Sequence, residues 1–154
     1  MFTESELKQV EQIKSRYPEP KAALMPVLWM AQEKLGWIST ETMKYVAQLL
    51  NLEPAHVMGV VSFYSMYFDK PMGRHHIQVC TNVSCMLRGG DEIYKSVCGM
   101  LGLGNKERSA DGKFSIEEVE CMGACGGAPM IAVNEEYHEN MTPTAAGALL
   151  SSLK

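Results

Sequence analysis

Four cysteines in two pairs constrain this chain more tightly than any other feature. Cys80 and Cys85 make a C-x4-C pair in "CTNVSC", and Cys121 and Cys125 make a C-x3-C pair in "CMGACGGAP". Gly123, Gly126 and Gly127 give the second loop a freely bending backbone without side-chain bulk. Such a loop brings main-chain amides close to whatever the thiols hold. The plain alternative is a flexible turn over one or two buried thiols, because free cysteine packs readily as a small hydrophobe. A fifth cysteine, Cys98, follows Val97 in an amphipathic stretch, and its expected place is in the core.

The patterning supplies a frame on which the two pairs can meet. Thr3 and Glu6 have the spacing of a capping box, and Leu7, Val10, Ile13 and Tyr17 then form the stripe of a helix that stops at Pro18. A second helix is expected from about Ala22 to Leu35, with Pro26 near its first turn and Gly36 as its stop. A third starts near Ser39 or Thr40, buries Met43, Val46, Ala47 and Leu50, and ends at Asn51. Pro54 opens a short fourth helix that leads into "VVSFYSMYF". At "DKPMG", residues 69–73, the period changes from helical to alternating. These signals predict an α+β chain of two domains: a helical bundle over residues 1–72 and an α/β domain over 73–154.

The second domain reads as strand, helix, strand, strand, helix. "HIQVC" is a strand ending at Cys80 with Ile77 and Val79 on one face, "CTNVSC" is a loop, and Met86 to about Leu101 is a helix. Asp111-Gly112 makes a turn before a strand carrying Phe114 and Ile116. "MIAV" and "EEYH" pair around Asn134, and Thr142-Pro143 starts a closing helix with Ala146, Leu149, Leu150 and Leu153 on its apolar side. Both cysteine pairs then lie on loops, and if the strand ends beside them are neighbours in a small sheet, the four sulfurs converge at one edge.

Composition narrows the function. With 154 residues and a formal net charge of -4, the chain has a sizeable core and no clustered basic patch, which argues against a nucleic-acid partner. The apolar run "AALMPVLWMA" is too short to span a bilayer. "MFTESELK" has neither the basic nor the apolar region of a secretory signal, so a reducing cytoplasmic compartment is expected, where five cysteines point to metal or redox chemistry. Structural zinc favours tight C-x2-C knuckles, whereas here the pairs are wider and 35 residues separate them. An iron-sulfur cluster spreads its ligands over two irons, and its sulfides accept amide hydrogen bonds from loops rich in glycine. On the residues alone, iron-sulfur, zinc and thiol redox chemistry all stay open.

"CTNVSCMLRGGDE" and "ECMGACGGAPMIAVN", together with "GVVSFYSMYF" and "KPMGRHHIQVC", resemble the thioredoxin-like 2Fe-2S subunits of respiratory NADH:quinone oxidoreductases (complex I), their E subunits. The resemblance runs through nearly the whole chain. It implies a helical domain followed by a thioredoxin-like ferredoxin domain, and one 2Fe-2S cluster ligated by Cys80, Cys85, Cys121 and Cys125. It further implies a partner flavoprotein subunit that binds FMN and NADH, other peripheral-arm subunits, and a place on the cytoplasmic side of a membrane complex. Equivalent subunits serve NAD-linked hydrogenases and formate dehydrogenases, and a zinc-stabilised adaptor module is the alternative from another class.

Other residues carry weaker expectations. His75 and His76 are expected on a solvated strand rather than as ligands, and Arg88 as a solvated helix residue. Phe63 to Phe68 is either docking surface or core. Gly126 and Gly127 are expected to admit amides and solvent to the cluster, so that larger residues at both positions would lower its potential.

Overall fold

The computed structural model describes residues 1–153, and the chain divides into two compact units, Met1–Pro71 and a second from Met72 onward. The first unit is helical: α1 (Glu4–Lys14), α2 (Leu24–Leu35), α3 (Thr40–Leu50) and α4 (Pro54–Phe63), with a 3-10 turn over Pro20–Ala23. Thr3 and Glu6 form the capping box, Ser39 caps α3 through a hydrogen bond from Thr42 N–H (3.1 Å), and Gly36 and Asn51 close α2 and α3 in left-handed conformations. The helix α1 ends at Lys14, short of Pro18. Proline disfavours helical backbone in the residue before it, so the chain leaves the helix early and Tyr17 turns outward. Val10, Leu28, Ile38, Val46, Leu50 and Val57 anchor the core of this unit.

The segment Phe63 to Phe68 divides by residue between surface and core. Phe63 is 79% exposed and Tyr67 only 6%. The buried Gln32 explains the difference. Its Nε2 donates to Met66 O (2.8 Å), its Oε1 accepts from Phe68 N–H (2.7 Å), and Tyr67 Oη donates to Met25 O (2.9 Å). These bonds draw the second half of the segment onto α2 and leave the first half in solvent.

The second unit contains β1 (His75–Cys80), α5 (Val83–Met86), α6 (Gly90–Leu101), β2 (Phe114–Val119), β3 (Ile131–Val133), β4 (Glu136–His138) and α7 (Pro143–Ser152). The sheet order is β2-β1-β3-β4, with β1 and β2 parallel and the remaining pairs antiparallel. Asn134 turns the β3–β4 hairpin at φ 55°. Alternation gives the sheet two unlike faces. Ile77, Val79, Ile116, Ile131 and Val133 pack with Ile93 and Val97 of α6 and with Ala146 and Leu150 of α7. The opposite face of the parallel pair carries His76, Gln78 and Cys80 beside Ser115, Glu117 and Val119, in register.

The helix expected from Met86 to Leu101 is broken. Gly89 adopts φ 95° between α5 and α6, a conformation that a glycine takes without the penalty of a Cβ. Cys85 therefore sits inside a one-turn helix rather than on a loop. The solvated strand expected for both histidines is corrected for His76, which is 4% exposed, while His75 is half-buried. His76 Nδ1 lies 2.9 Å from Ser115 Oγ, and its Nε2 lies 3.5 Å from Glu117 Oε2. The Ser115 hydroxyl also accepts from Gly73 N–H (2.9 Å), so the entry to β1 is fastened to β2.

Candidate metal centre

Cys80 is the last residue of β1, on the face away from the helices, and its main chain is fixed on both sides. Cys80 N–H donates to Met130 O (3.4 Å), and Thr81 N–H donates to Val119 O (3.3 Å). The turn that follows is set by Asn82, whose Oδ1 accepts from Val83 N–H (2.8 Å) and caps α5. Cys85 is thereby returned to the end of β1. The two thiols are 3% and 2% exposed and share a buried cluster with Ala128 and Met130, against which Val119, Met122 and Ala124 pack.

The second pair enters from the neighbouring strand, since β2 ends at Val119 opposite Cys80. Gly123, at φ 74°, turns back so that its N–H donates to Cys121 Sγ (3.4 Å). Cys125 opens a 3-10 turn over Cys125–Gly127, followed by a cis peptide between Ala128 and Pro129. Cys121 and Cys125 are exposed, and all five cysteines are free thiols. Burial pushes the Cys85 thiol up to about 11, helped by its hydrogen bond with Cys80 and by the charges of Cys80 and Cys125, while the Met130 main chain opposes the shift. The fold thus gathers Cys80, Cys85 and Cys125 closely enough to feel one another, and Cys121 hangs on the same turn.

Among the described residues, no three His, Cys, Asp or Glu side chains close around a single-ion position. The donors at this end of the sheet are two pairs of thiols, which is the soft sulfur set that iron-sulfur centres and zinc take. Crowded thiols in apolar surroundings resist ionisation unless a cationic centre compensates their charge. One amide already points at a cysteine sulfur. The residues present therefore fit a thiolate-held centre.

Two neighbours drop out as ligands. His76 precedes Cys80 by four strand residues, roughly 13 Å at about 3.3 Å per residue. Cys98 lies on α6, half-buried in the aliphatic core beside Tyr94, whose hydroxyl is pushed up to about 12 by burial and by its hydrogen bond with Cys98. Arg88 is exposed in the break between α5 and α6.

The structure adds two residues that the patterning did not single out. Gly90 opens α6 against the first cysteine pair, where a Cβ would stand 2.9 Å from Cys80 O and 3.0 Å from Cys85 O. The "GG" dipeptide was its signal. Glu139 covers Gly127, and no local pattern marks it. The two glycines after Cys125 also differ from the shared role expected of them. A Cβ on Gly126 would meet nothing within 4 Å, whereas Gly127 is buried and a Cβ there would press into Glu139.

Comparison with known proteins places this geometry in context. Residues 10–154 match the thioredoxin-like [2Fe-2S] ferredoxin family. The chain is 38% identical to the E subunit of the NADH-quinone oxidoreductase of Rickettsia bellii, over 99% of this chain and 93% of that protein. It is 42% identical to NADH-quinone oxidoreductase subunit 2 of Thermus thermophilus, over 94% of this chain and 82% of that protein. A solved NAD+-reducing [NiFe]-hydrogenase shares the fold with a TM-score of 0.74 at 20% identity, covering 84% of this chain and 22% of the hydrogenase chain. A match over nearly the whole chain, with two thiol pairs gathered at one end of the sheet, shows that the protein belongs to the thioredoxin-like [2Fe-2S] ferredoxin family.

Proposed function

We propose that this chain is the electron-transfer subunit of an NADH:quinone oxidoreductase, and that Cys80, Cys85, Cys121 and Cys125 hold its single 2Fe-2S cluster. The observation that carries the reading is the gathering of two thiol pairs at one sheet end, one from the end of β1 and α5 and the other from the turn after β2, with no carboxylate or imidazole among the donors. The near full-length likeness to subunits of that oxidoreductase gives the setting. When bound, such a cluster supplies a site that accepts and returns one electron at a time.

The chain's own residues prepare that site. Cys80 and Cys85 hold the inner side among buried apolar neighbours, while Cys121 and Cys125 stand on the solvent side, where a partner approaches. The Gly123 amide steadies the Cys121 sulfur as it gains negative character. The partner is a flavoprotein subunit that binds FMN and oxidises NADH, a two-electron donor whose electrons leave singly. The sequence has no G-x-G-x-x-G fingerprint of its own, so NADH belongs to that partner. Among the described residues no helix is long and apolar enough to cross a membrane, and the chain's proposed place is the peripheral arm on the cytoplasmic side.

The hydrogenase likeness supports the fold alone, and identity to the quinone oxidoreductase subunits favours the first reading over an NAD-linked hydrogenase or formate dehydrogenase. Affinity purification of the tagged chain from its own cells tests this. A coloured assembly that contains FMN and passes electrons from NADH to a quinone supports the proposal. Hydrogen- or formate-dependent NAD reduction by the assembly overturns the host. A colourless chain with zinc and no labile sulfide overturns the cluster itself.

A further inference from the structure

The Glu139 side chain packs against the backbone of the second cysteine turn at Gly127. After β4 the chain runs back along that turn. Asn140 N–H donates to Gly127 O (2.6 Å), and Met141 N–H donates to Pro129 O (2.9 Å). Asn140 takes φ 51°, so the bend that aligns these bonds lies immediately after Glu139. The Glu139 side chain is laid over the Gly127 α-carbon, where a Cβ would stand 2.6 Å from Glu139 Cβ and closer still to its carboxyl. Glu139 is exposed, and no hydrogen bond or ion pair among the described residues neutralises its carboxylate.

We infer that Glu139, packed on the Cys125–Gly127 turn, is a fixed negative charge that lowers the reduction potential of the centre held by the cysteines. The inference rests on the cluster reading above. Reduction adds one electron, and therefore one negative charge, to a site already surrounded by thiolates. A carboxylate two residues from Cys125 by way of Gly127 repels that charge and favours the oxidised form. Because Glu139 faces solvent, mobile ions weaken its field, so its influence fades as salt rises. The close packing also gives Gly127 a definite role: glycine there leaves the space that the Glu139 side chain occupies. Enlarging Gly127 displaces the carboxylate and raises the potential, which reverses the sign expected from the sequence for that position.

The test is a spectroscopic redox titration of the full chain with its native centre, in low salt and in about 1 M salt, where the Debye length is about 3 Å. Glu139→Gln keeps the shape and removes the charge, and is expected to raise the midpoint potential with the oxidised spectrum unchanged. Glu139→Asp should stay near wild type, Gly127→Ala should move with Glu139→Gln, and Glu135→Gln, in the distant hairpin turn, should do nothing. The rise in Glu139→Gln should shrink in high salt. An unchanged or lowered potential in a Glu139→Gln variant with a wild-type spectrum overturns the inference while leaving the cluster reading intact. Wild-type chain that carries no iron and sulfide overturns both.

Discussion

The contact between α6 and the first cysteine pair permits a test of packing against propensity on one helix. In Gly90→Ala the new Cβ lands 2.9 Å from Cys80 O and 3.0 Å from both Cys85 C and O. Comfortable contact begins at roughly 3.5 Å, so buried main chain must yield by about half an ångström. No flexible side-chain end is available to move aside. Overpacking of this kind costs about 1–3 kcal/mol. Against it stands a gain of about 0.4–1 kcal/mol from the smaller entropy of an alanine-bearing unfolded chain. Gly99→Ala on the same helix receives that gain without the clash, because a Cβ there meets nothing within 4 Å. The difference between the two variants therefore isolates the clash. Each kcal/mol moves Tm by about 4–8 °C in a domain of this size. Thermal melting followed by circular dichroism should place Gly99→Ala at or above wild type and Gly90→Ala well below Gly99→Ala. After reconstitution, Gly90→Ala should also retain less iron, since the yielding atoms belong to Cys80 and Cys85. Equal melting temperatures with full iron in both would refute the claim that Gly90 fits α6 to the cysteine loop.

Three further expectations concern the sheet and the core. Ser115→Ala removes the hydroxyl that accepts from Gly73 N–H and meets His76 Nδ1, and should cost about 1–3 kcal/mol in urea unfolding. The His76 ring, its Nε2 3.5 Å from Oε2, together with nearby Lys106 holds the Glu117 carboxyl below its ordinary 4.5. Its contribution is thus present above that value and is lost as pH falls through the lowered one, so Glu117→Gln should flatten the acid limb of a stability–pH curve. Cys98→Ser should leave the visible spectrum of the cluster unchanged, because Cys98 packs in the aliphatic core; bleaching of that variant would place a ligand where the fold puts none.

Periodicity and punctuation made the helices and the hairpin legible. Thr3 with Glu6, Ser39, Asn51, and Thr142 with Pro143 act through short-range chemistry that a sequence displays directly. The cysteine pairs were legible as spacing near strand ends, although Cys80 belongs to β1 itself and Cys85 to the short helix α5 rather than to a loop. What the sequence hid depends on register and on distant neighbours. His76 reads as a polar strand residue until β2 places Ser115 and Glu117 beside it. The segment Phe63 to Phe68 divides because Gln32, more than thirty residues earlier, hydrogen-bonds its second half. Gly126 and Gly127 look alike in sequence, and only the return of the chain at Glu139 distinguishes them.

Cys80, Cys85, Cys121 and Cys125 are proposed to hold one binuclear iron-sulfur centre between them. Iron and acid-labile sulfide, measured per chain in protein purified without oxygen, test it most directly when wild type is compared with the four single Cys→Ser variants and Cys98→Ser. About two irons and two sulfides are expected in wild type and in Cys98→Ser, with loss or marked distortion of the centre in each of the other four. A full complement of iron and sulfide with an unaltered spectrum in any one of those four variants, or zinc without sulfide in wild type, would contradict it.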